Sequence, residues 1–407
     1  MAWLISLIAL GTVLADEPAD KTPPATPPVL AAFGDSPEVT TRAEWEARVP
    51  ALRDAFADQI YGCLPESREP VLIDHKTISS DGIMGASAAG EFILEDPILH
   101  RHFSVAYILP TGDGPHPVIM QFSFCGNPLA LGGREAFSTP FNGTPEFCSR
   151  FENMPPPEGD DPFLISMPVE RLLAKGMAVV SIYPGDVIPD DREKAIPLLE
   201  KMSPADDPAV RPGAITAWGW VASLAVTQLE TDSRFDPDRM AVMGHSRNGK
   251  AAFAAMLFDP RIDLLWAHQS GTGGATLNRS YEGESIENIT GGFPHWFAPA
   301  YRDNAGHEAE LPIDQHMALG TMAPRLVLFG GGWDDLWAGP MGAYRTAEGA
   351  DPAYELYGLS GLDQTDPEEM NASADIAVFI RDGTHGTKLS DWEKFIAFAS
   401  QHFGLDE

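Results

Sequence analysis

The stretch GHSRNGK at positions 244–250 is the part of the sequence best suited to chemistry, because its serine is flanked by polar and basic side chains. A strand-like run ends at Gly244, and an alanine-rich helical segment follows the heptapeptide. Ser246 fits a nucleophile elbow, in which a strand, a tight turn and a helix hold an exposed serine at the apex. Asn248 stands where that pattern usually has glycine. The alternative interpretation is a serine that only caps the helix.

A serine nucleophile needs a general base, and the base needs an acid that orients it. In α/β-hydrolases these residues follow in the order serine, acid, histidine. His385 comes after the strand-like run 375–380 and before the last helical segment, so we predict that it is the base rather than a surface-loop histidine. Asp335 follows the run 325–330 and is the predicted acid, whereas we interpret the adjacent Asp334 as a solvated loop residue.

Two basic residues lie beside the serine. Arg247 adjoins it, and Lys250 is one helical turn further on the same face. One cation near the point of attack can stabilise a developing oxyanion, and a second can hold a substrate oxygen. The alternative is that both are ordinary exposed bases on a helix, which is less expected in so acidic a chain.

Short apolar runs typical of strands alternate with helical segments along most of the chain. The strand candidates are 104–109, 117–122, 177–183, 239–244, 263–267, 325–330 and 375–380. The helix candidates are 213–230, 247–258, 340–349 and 389–403, and another helix is predicted to begin after Thr41. This alternation predicts an α/β fold, a three-layer sandwich with a mostly parallel central sheet. Two long irregular segments, 126–165 and 184–212, are expected to be lids or binding loops.

The composition limits the possible partners. The 407 residues include 27 basic and 59 acidic side chains, a formal net charge of −32, so nucleic acids and anionic membranes are poor partners. The three cysteines allow one disulfide, with Cys125–Cys148 as a possible pair. Neither their spacing nor the nearby histidines predict a metal site.

The N-terminus predicts export. Residues 1–15 are similar to a secretory signal peptide, with an apolar run over 3–14 that is too short to span a bilayer comfortably. Residues 16–43 begin with a proline-rich stretch and are predicted to form a linker, followed by a catalytic domain over 44–407. We expect a monomeric protein located in the periplasm or outside the cell.

With these residues assembled, the chain resembles the glucuronoyl esterases of carbohydrate esterase family 15. The family's elbow reads Gly-Cys-Ser-Arg-Asn-Gly-Lys, and this chain has GHSRNGK. Further similar segments are AEWEARVPALRDAFADQIYG, QSGTGG, GESIENITGGFPHWF, DDLWAGP and DGTHG, which together extend over roughly residues 44–405. The resemblance implies an α/β-hydrolase without metal or cofactor. It also implies cleavage of the ester between (4-O-methyl-)glucuronic acid on xylan and lignin alcohols.

The resemblance also implies roles for individual residues. Ser246 would be the nucleophile, His385 the base and Arg247 the oxyanion-stabilising arginine. Contacts to the sugar would come from a group of side chains, namely Lys250, Glu284, Trp337 and, less securely, Glu287. A backbone oxyanion donor is expected in the loop after 117–122, near FSFCGN.

Two positions depart from the family pattern. Many members have a catalytic glutamate where this chain has Gln269, in the segment HQSG. An amide cannot supply the negative charge, and in the serine-protease template this change lowers the rate about 10⁴-fold. Because some bacterial members have an aspartate at the later position, we predict that Asp335 is the working acid. His245 replaces the family's cysteine, and the sequence predicts no role for it.

Two other functions remain open from the sequence. A carbohydrate esterase of broader specificity, acting on acetyl, feruloyl or alkyl esters, would use the same triad. A carbohydrate-binding protein that lost catalysis together with the glutamate belongs to a different class of function, and the intact serine, histidine and Asp335 argue against it.

Overall fold

A computed structural model describes residues 25–151, 159–280 and 282–405. The predicted signal peptide, residues 1–15, lies outside these ranges. The strands are β1 Val71–Ile78, β2 Ala86–Glu95, β3 His102–Pro110, β4 His116–Phe122, β5 Ala178–Ile182, β6 Phe235–His245, β7 Leu264–His268, β8 Leu326–Gly332 and β9 Ile376–Arg381. The helices are α1 Arg42–Phe56, α2 Asn127–Ala130, α3 Val169–Ala174, α4 Arg192–Met202, α5 Ala214–Glu230, α6 Arg247–Phe258, α7 Ile286–Gly292, α8 Pro299–Arg302, α9 Gln315–Gly320, α10 Pro340–Glu355 and α11 Leu389–Phe403.

The nine strands form one sheet in the order β1-β2-β3-β5-β4-β6-β7-β8-β9. The pairs from β5 through β4 to β9 are all parallel, and the pairs from β1 to β5 are antiparallel. Because β6 to β9 are adjacent parallel strands, the loops after them emerge at one edge of the sheet. Those loops carry the predicted catalytic residues.

Helices cover both faces of the sheet. Apolar side chains of α5 and α6 form the larger core with one face, and those of α3 and α11 form a second core with the other. Helix α5 is buried along nearly its whole length, because its sequence is apolar all round. The predicted three-layer α/β architecture is therefore confirmed.

Several elements differ from the sequence prediction. Strands β1 and β2 were not predicted, and they extend the sheet through antiparallel pairs. Helix α10 continues to Glu355, beyond the predicted residue 349. The segment 184–212 is not wholly irregular, since α4 lies within it and begins where Asp191 accepts a hydrogen bond from the Lys194 N–H group.

The described part of the predicted linker packs against the domain. Val29 and Val39 are buried. Arg48 donates hydrogen bonds to the Ala31 and Pro37 carbonyls, and the Pro27 carbonyl lies 2.8 Å from Nε2 of His316. Residues 27–39 therefore differ from a free linker, because α1 and α9 hold them through apolar contacts and backbone acceptors. Among the described residues, no helix is long and apolar enough to cross a membrane.

Candidate active site

Ser246 occupies the sharp turn between β6 and α6. Its backbone has φ 56° and ψ −128°, a sparsely populated positive-φ conformation that costs a non-glycine residue about 1–3 kcal/mol. Gly244 makes the turn possible, because a Cβ atom there would lie 2.0 Å from the Asn248 carbonyl oxygen. The Ser246 side chain makes no capping hydrogen bond to α6. The helix-cap interpretation is therefore wrong, and the strained turn matches the geometry of a nucleophile elbow.

His385 and Asp335 form a hydrogen-bonded pair after two adjacent strands. His385 follows β9, Asp335 follows β8, and Nδ1 of the imidazole lies 2.7 Å from Oδ2 of the carboxylate. The Asp335 side chain is 5% exposed and that of His385 is 42% exposed. This contact orients the ring and leaves its Nε2 atom for a second partner.

Ser246 and His385 lie close together without a direct hydrogen bond between their side chains. The ring of His245, the residue before the serine, lies 4.4 Å from the His385 ring between centroids. Catalytic hydrogen bonds are often long in ligand-free enzymes and shorten when substrate binds. The three predicted members of the triad are thus collected at one edge of the sheet.

The ring of His245, for which the sequence predicted no role, packs against two other histidine rings. Its ring packs between His385 and the buried His268, with 5.4 Å between the His245 and His268 centroids. Burial lowers the pKa of His245 well below its usual value, and the nearby His385 lowers it further. A neutral ring therefore fills the space behind the His385 imidazole.

Arg247 is held by residues that the sequence did not predict. Its guanidinium forms an ion pair with Asp190, which also lies 2.9 Å from His295 Nε2 and accepts a 2.8 Å hydrogen bond from Trp296 Nε1. Burial would raise the pKa of Asp190, but these hydrogen bonds and the arginine charge outweigh it and hold the pKa below the usual range. Asp190 thus remains ionised and anchors the cation. The sequence signal was weak, since Asp190 is one of several acids in the segment 184–212.

A cleft opens beside Arg247, and its walls include Ser123, Phe124 and Asp190. The N–H group of Ser123 donates to the Ile182 carbonyl at 2.8 Å, and that of Cys125 to the Ser123 hydroxyl at 3.3 Å. Of these three consecutive residues, only Phe124 has a backbone N–H group without a hydrogen-bond partner in the described chain. The loop after β4 therefore brings an N–H group to the cleft, and its role as an oxyanion donor stays a prediction.

The same loop is tied down by a disulfide. Cys125 and Cys148 are bonded, with their Cα atoms 5.7 Å apart, and Cys63 is a free, half-buried thiol. The bond links the end of β4 to the segment 126–165, which forms part of the cleft wall through Pro145 and Phe147.

Three predicted sugar-binding residues form a second cluster. Lys250 makes an ion pair with Glu284 Oε1, and it donates a 2.6 Å hydrogen bond to the Thr272 carbonyl. The side chains of Lys250 and Glu284 are 3% and 4% exposed. Burial lowers the pKa of Lys250 and raises that of Glu284, while their contact opposes both shifts. Trp337 is 52% exposed, and its backbone carbonyl accepts a 2.9 Å hydrogen bond from the Glu284 N–H group.

Glu287 is placed differently from the other predicted sugar contacts. It lies exposed in the first turn of α7. In the described chain it forms no hydrogen bond or ion pair with Lys250, Glu284 or Trp337. Its predicted contact with the sugar has no support from the side-chain arrangement.

Gln269 forms no hydrogen bond with the His385 imidazole, although it stands where many members of the family have the acid. Its amide instead bonds the backbone of Thr384 and Gly386, on either side of the histidine. Over the described ranges, no group of three or more His, Cys, Asp or Glu residues is arranged to hold a metal ion.

Comparisons with known proteins find similar chains among carbohydrate esterases. A family model described as fungal glucuronyl esterase matches residues 206–358. A carbohydrate esterase from an unknown prokaryotic organism is 37% identical over 239 residues, which are 58% of this chain and 55% of that protein. The 4-O-methyl-glucuronoyl methylesterase of Podospora anserina is 25% identical to this chain over 77% of this chain and 56% of its own length. The chain thus spans just over half the length of these two curated relatives.

Solved structures match over nearly the whole length. A structure described as a promiscuous esterase of carbohydrate esterase family 15, from a marine bacterial metagenome, has a TM-score of 0.78 and 29% identity. It covers 93% of this chain and 97% of its own. The glucuronoyl esterase of Solibacter usitatus has a TM-score of 0.77 and 28% identity, over 94% and 100% of the two chains. The chain is therefore similar to glucuronoyl esterases and to other esterases of carbohydrate esterase family 15, in part of its sequence and over nearly its whole fold.

Proposed function

We propose that this protein is a serine esterase that hydrolyses esters of (4-O-methyl-)glucuronic acid through an acyl-enzyme on Ser246. The observation that carries the proposal is the 2.7 Å contact between His385 and Asp335 beside the strained Ser246 turn. This contact supports catalysis although Gln269 replaces the usual glutamate, because the Asp335 carboxylate is hydrogen-bonded to the His385 base. The names of the relatives support the uronate substrate.

The reaction follows from the placement of the groups. Ser246 Oγ attacks the ester carbonyl and transfers its proton to His385, whose positive charge Asp335 stabilises. Arg247 and backbone N–H groups, including that of Phe124, stabilise the oxyanion. His385 then protonates the leaving alcohol. Water, activated by the same imidazole, cleaves the acyl-enzyme and regenerates the serine.

The buried cluster gives the uronate its orientation. Glu284 has acceptor capacity beyond its bond to Lys250, so a sugar hydroxyl can donate to it. The exposed indole of Trp337 offers an apolar face for the ring. Glu287 is kept as a more distant sugar contact at the rim.

The natural substrate is proposed to be the ester between glucuronoxylan and a lignin alcohol. The segments 126–165 and 184–212 contribute walls of the cleft beside Arg247, and we assign them to the alcohol or the xylan chain. The protein is proposed to act as a monomer after export to the periplasm or the extracellular space.

The test is hydrolysis of benzyl glucuronate, methyl galacturonate and 4-nitrophenyl acetate by the wild type and by Ser246→Ala. We expect kcat/KM to be highest for the glucuronate ester and to fall at least about 10³-fold in the variant. A higher value for the acetate would favour an esterase of broader specificity.

A serine-directed phosphonate separates enzyme from binder. We expect mass spectrometry to find one adduct, on Ser246. If the wild type hydrolysed none of the esters and formed no adduct, yet bound glucuronoxylan, the protein would be a carbohydrate-binding homologue without catalysis.

A further inference from the structure

Gln269 has a backbone conformation and a degree of burial that its lost role as an acid does not explain. It is 4% exposed, and its φ of 47° lies in the left-handed region. Its N–H group donates to the Gly330 carbonyl at 2.8 Å, which fixes the residue to β8. A non-glycine residue adopts this conformation when surrounding contacts hold it there.

The side chain of Gln269 bonds both neighbours of His385. Its Oε1 atom accepts a hydrogen bond from the Gly386 N–H group at 2.8 Å, and its Nε2 atom donates to the Thr384 carbonyl at 3.2 Å. The amide orientation follows from the partners, because the reverse orientation would set donor against donor and acceptor against acceptor. One planar group thus joins the two peptide units that flank the base.

We propose that Gln269 is a positioning residue that clamps the loop 384–386 and so fixes the His385 imidazole between Asp335 and Ser246. The proposal rests on the proposed esterase function. The clamp needs one acceptor and one donor on the same side chain, and an amide supplies both. A glutamate keeps the acceptor for Gly386 but sets a carboxylate oxygen against the Thr384 carbonyl. Glutamine is therefore the functional residue here once Asp335 serves as the acid.

Other contacts keep the loop folded when the clamp is removed. Arg381 donates to the Gly386 carbonyl at 2.6 Å and forms an ion pair with Asp391. Loss of Gln269 should therefore loosen the loop without unfolding it. Because small displacements of a catalytic group lower the rate up to about 100-fold, the effect should appear in kcat.

The experiment compares Gln269→Met and Gln269→Glu with the wild type on benzyl glucuronate. Both variants are expected to lower kcat about 10- to 100-fold at pH 7, with KM within about 2-fold of the wild-type value. Gln228→Met, which removes a buried amide of α5, is the matched control and should leave kcat unchanged. A wild-type rate in Gln269→Met, or a higher rate in Gln269→Glu, would overturn the proposal.

The pH profile distinguishes a clamp from a packing role. A protonated glutamate regains a donor for the Thr384 carbonyl, so the rate of Gln269→Glu relative to wild type should rise as the pH falls from 8 to 5. Gln269→Met has no such group, and its relative rate should stay flat. A flat ratio in both variants would show that the side chain only fills space.

Hydrogen exchange at the Gly386 amide tests the clamp without any measurement of activity. We expect exchange about 10-fold faster in Gln269→Met and near-wild-type protection in Gln269→Glu, which keeps the acceptor. Unchanged exchange in Gln269→Met would refute the clamp. An inactive wild type with the expected exchange pattern would instead refute the esterase function and leave the clamp intact.

Discussion

Two acid–base pairs flank Ser246, and they differ in how far water reaches them. The His385 side chain is 42% exposed and Asp335 is 5% exposed. Lys250 and Glu284 are 3% and 4% exposed, and Lys250 also donates a hydrogen bond to the Thr272 carbonyl. Water reaches the imidazole of the first pair, whereas both side chains of the second pair are enclosed by protein. Burial therefore separates the pair that we propose does the chemistry from the pair that we propose holds the substrate.

The largest effect should come from breaking the first pair. Asp335→Asn keeps the shape of the side chain but removes the charge that stabilises the His385 imidazolium. We expect kcat on benzyl glucuronate to fall about 10⁴-fold, as in the serine-protease template for this change. Stopped-flow or steady-state kinetics would measure it.

Asp334→Asn is the matched control for Asp335→Asn, because Asp334 is an exposed carboxylate one position earlier in the same loop. It should leave kcat within about 2-fold of wild type. Equal losses in the two variants would mean that loop charge matters rather than the contact with His385.

Breaking the second pair should affect stability as well as binding. Lys250→Met leaves the Glu284 carboxylate buried without its cation, which costs about 3–5 kcal/mol of unfolding free energy. Denaturant titration would show this loss, and Lys201→Met on the exposed surface of α4 is the control. The double variant Lys250→Met/Glu284→Gln should recover most of the stability.

The pH dependence of Lys250→Met has a definite sign. Burial raises the pKa of Glu284, and without Lys250 nothing of similar strength opposes that shift. The native state then binds a proton more tightly than the unfolded state, so the variant is most stable at low pH and loses stability as the pH rises. If Lys250→Met lost the same unfolding free energy relative to wild type at pH 5 and at pH 8, the buried-charge explanation would be contradicted.

The predicted catalytic residues differ from the residues that anchor Arg247 in how well the sequence predicts them. Ser246, Asp335 and His385 each follow a parallel strand, so strand order alone brings them to one edge of the sheet. The Arg247 anchors, Asp190 and His295, come from irregular segments without periodicity. Only tertiary structure brings such residues together.

The unpredicted strands have a physical explanation of the same kind. Strand β1 is an edge strand exposed over nearly all of its length, so its sequence shows no regular apolar alternation. Strand β2 begins with small residues that are poor strand formers. After its first three residues, β2 is buried like the predicted strands, so the composition of its beginning explains why it was not predicted.

The ion pair between Arg247 and Asp190 lies between the other two pairs in exposure, since the Arg247 side chain is 26% exposed. Asp190→Asn keeps an acceptor for His295 and Trp296 but loses the charge that holds the guanidinium. We expect kcat to fall about 10- to 100-fold, less than the loss of an oxyanion donor itself. Asp191→Asn, an exposed helix cap that asparagine replaces well, is the control. Wild-type kinetics in Asp190→Asn would show that Arg247 needs no anchor.

Asp186, four residues before Asp190, shows what burial does to a carboxylate without an ion pair. It is 2% exposed, its Oδ1 atom accepts a hydrogen bond from the Asn142 N–H group, and burial raises its pKa to about 7. Because its pKa is higher in the native than in the unfolded state, its stabilising contribution is present at low pH and lost as the pH rises through about 7. Asp190, with its cation, has the opposite shift.

Asp186→Asn should remove this pH dependence, because asparagine keeps the acceptor and never ionises. Relative to wild type, the variant should gain about 1–3 kcal/mol of unfolding free energy between pH 5 and pH 8, measured by urea denaturation at both values. Asp207→Asn, an exposed cap of the turn at Pro208–Val210, should show no such gain. If Asp186→Asn behaved like that control, the native Asp186 would be ionised at neutral pH, and hydrogen bonds alone would hold a buried charge without a cation.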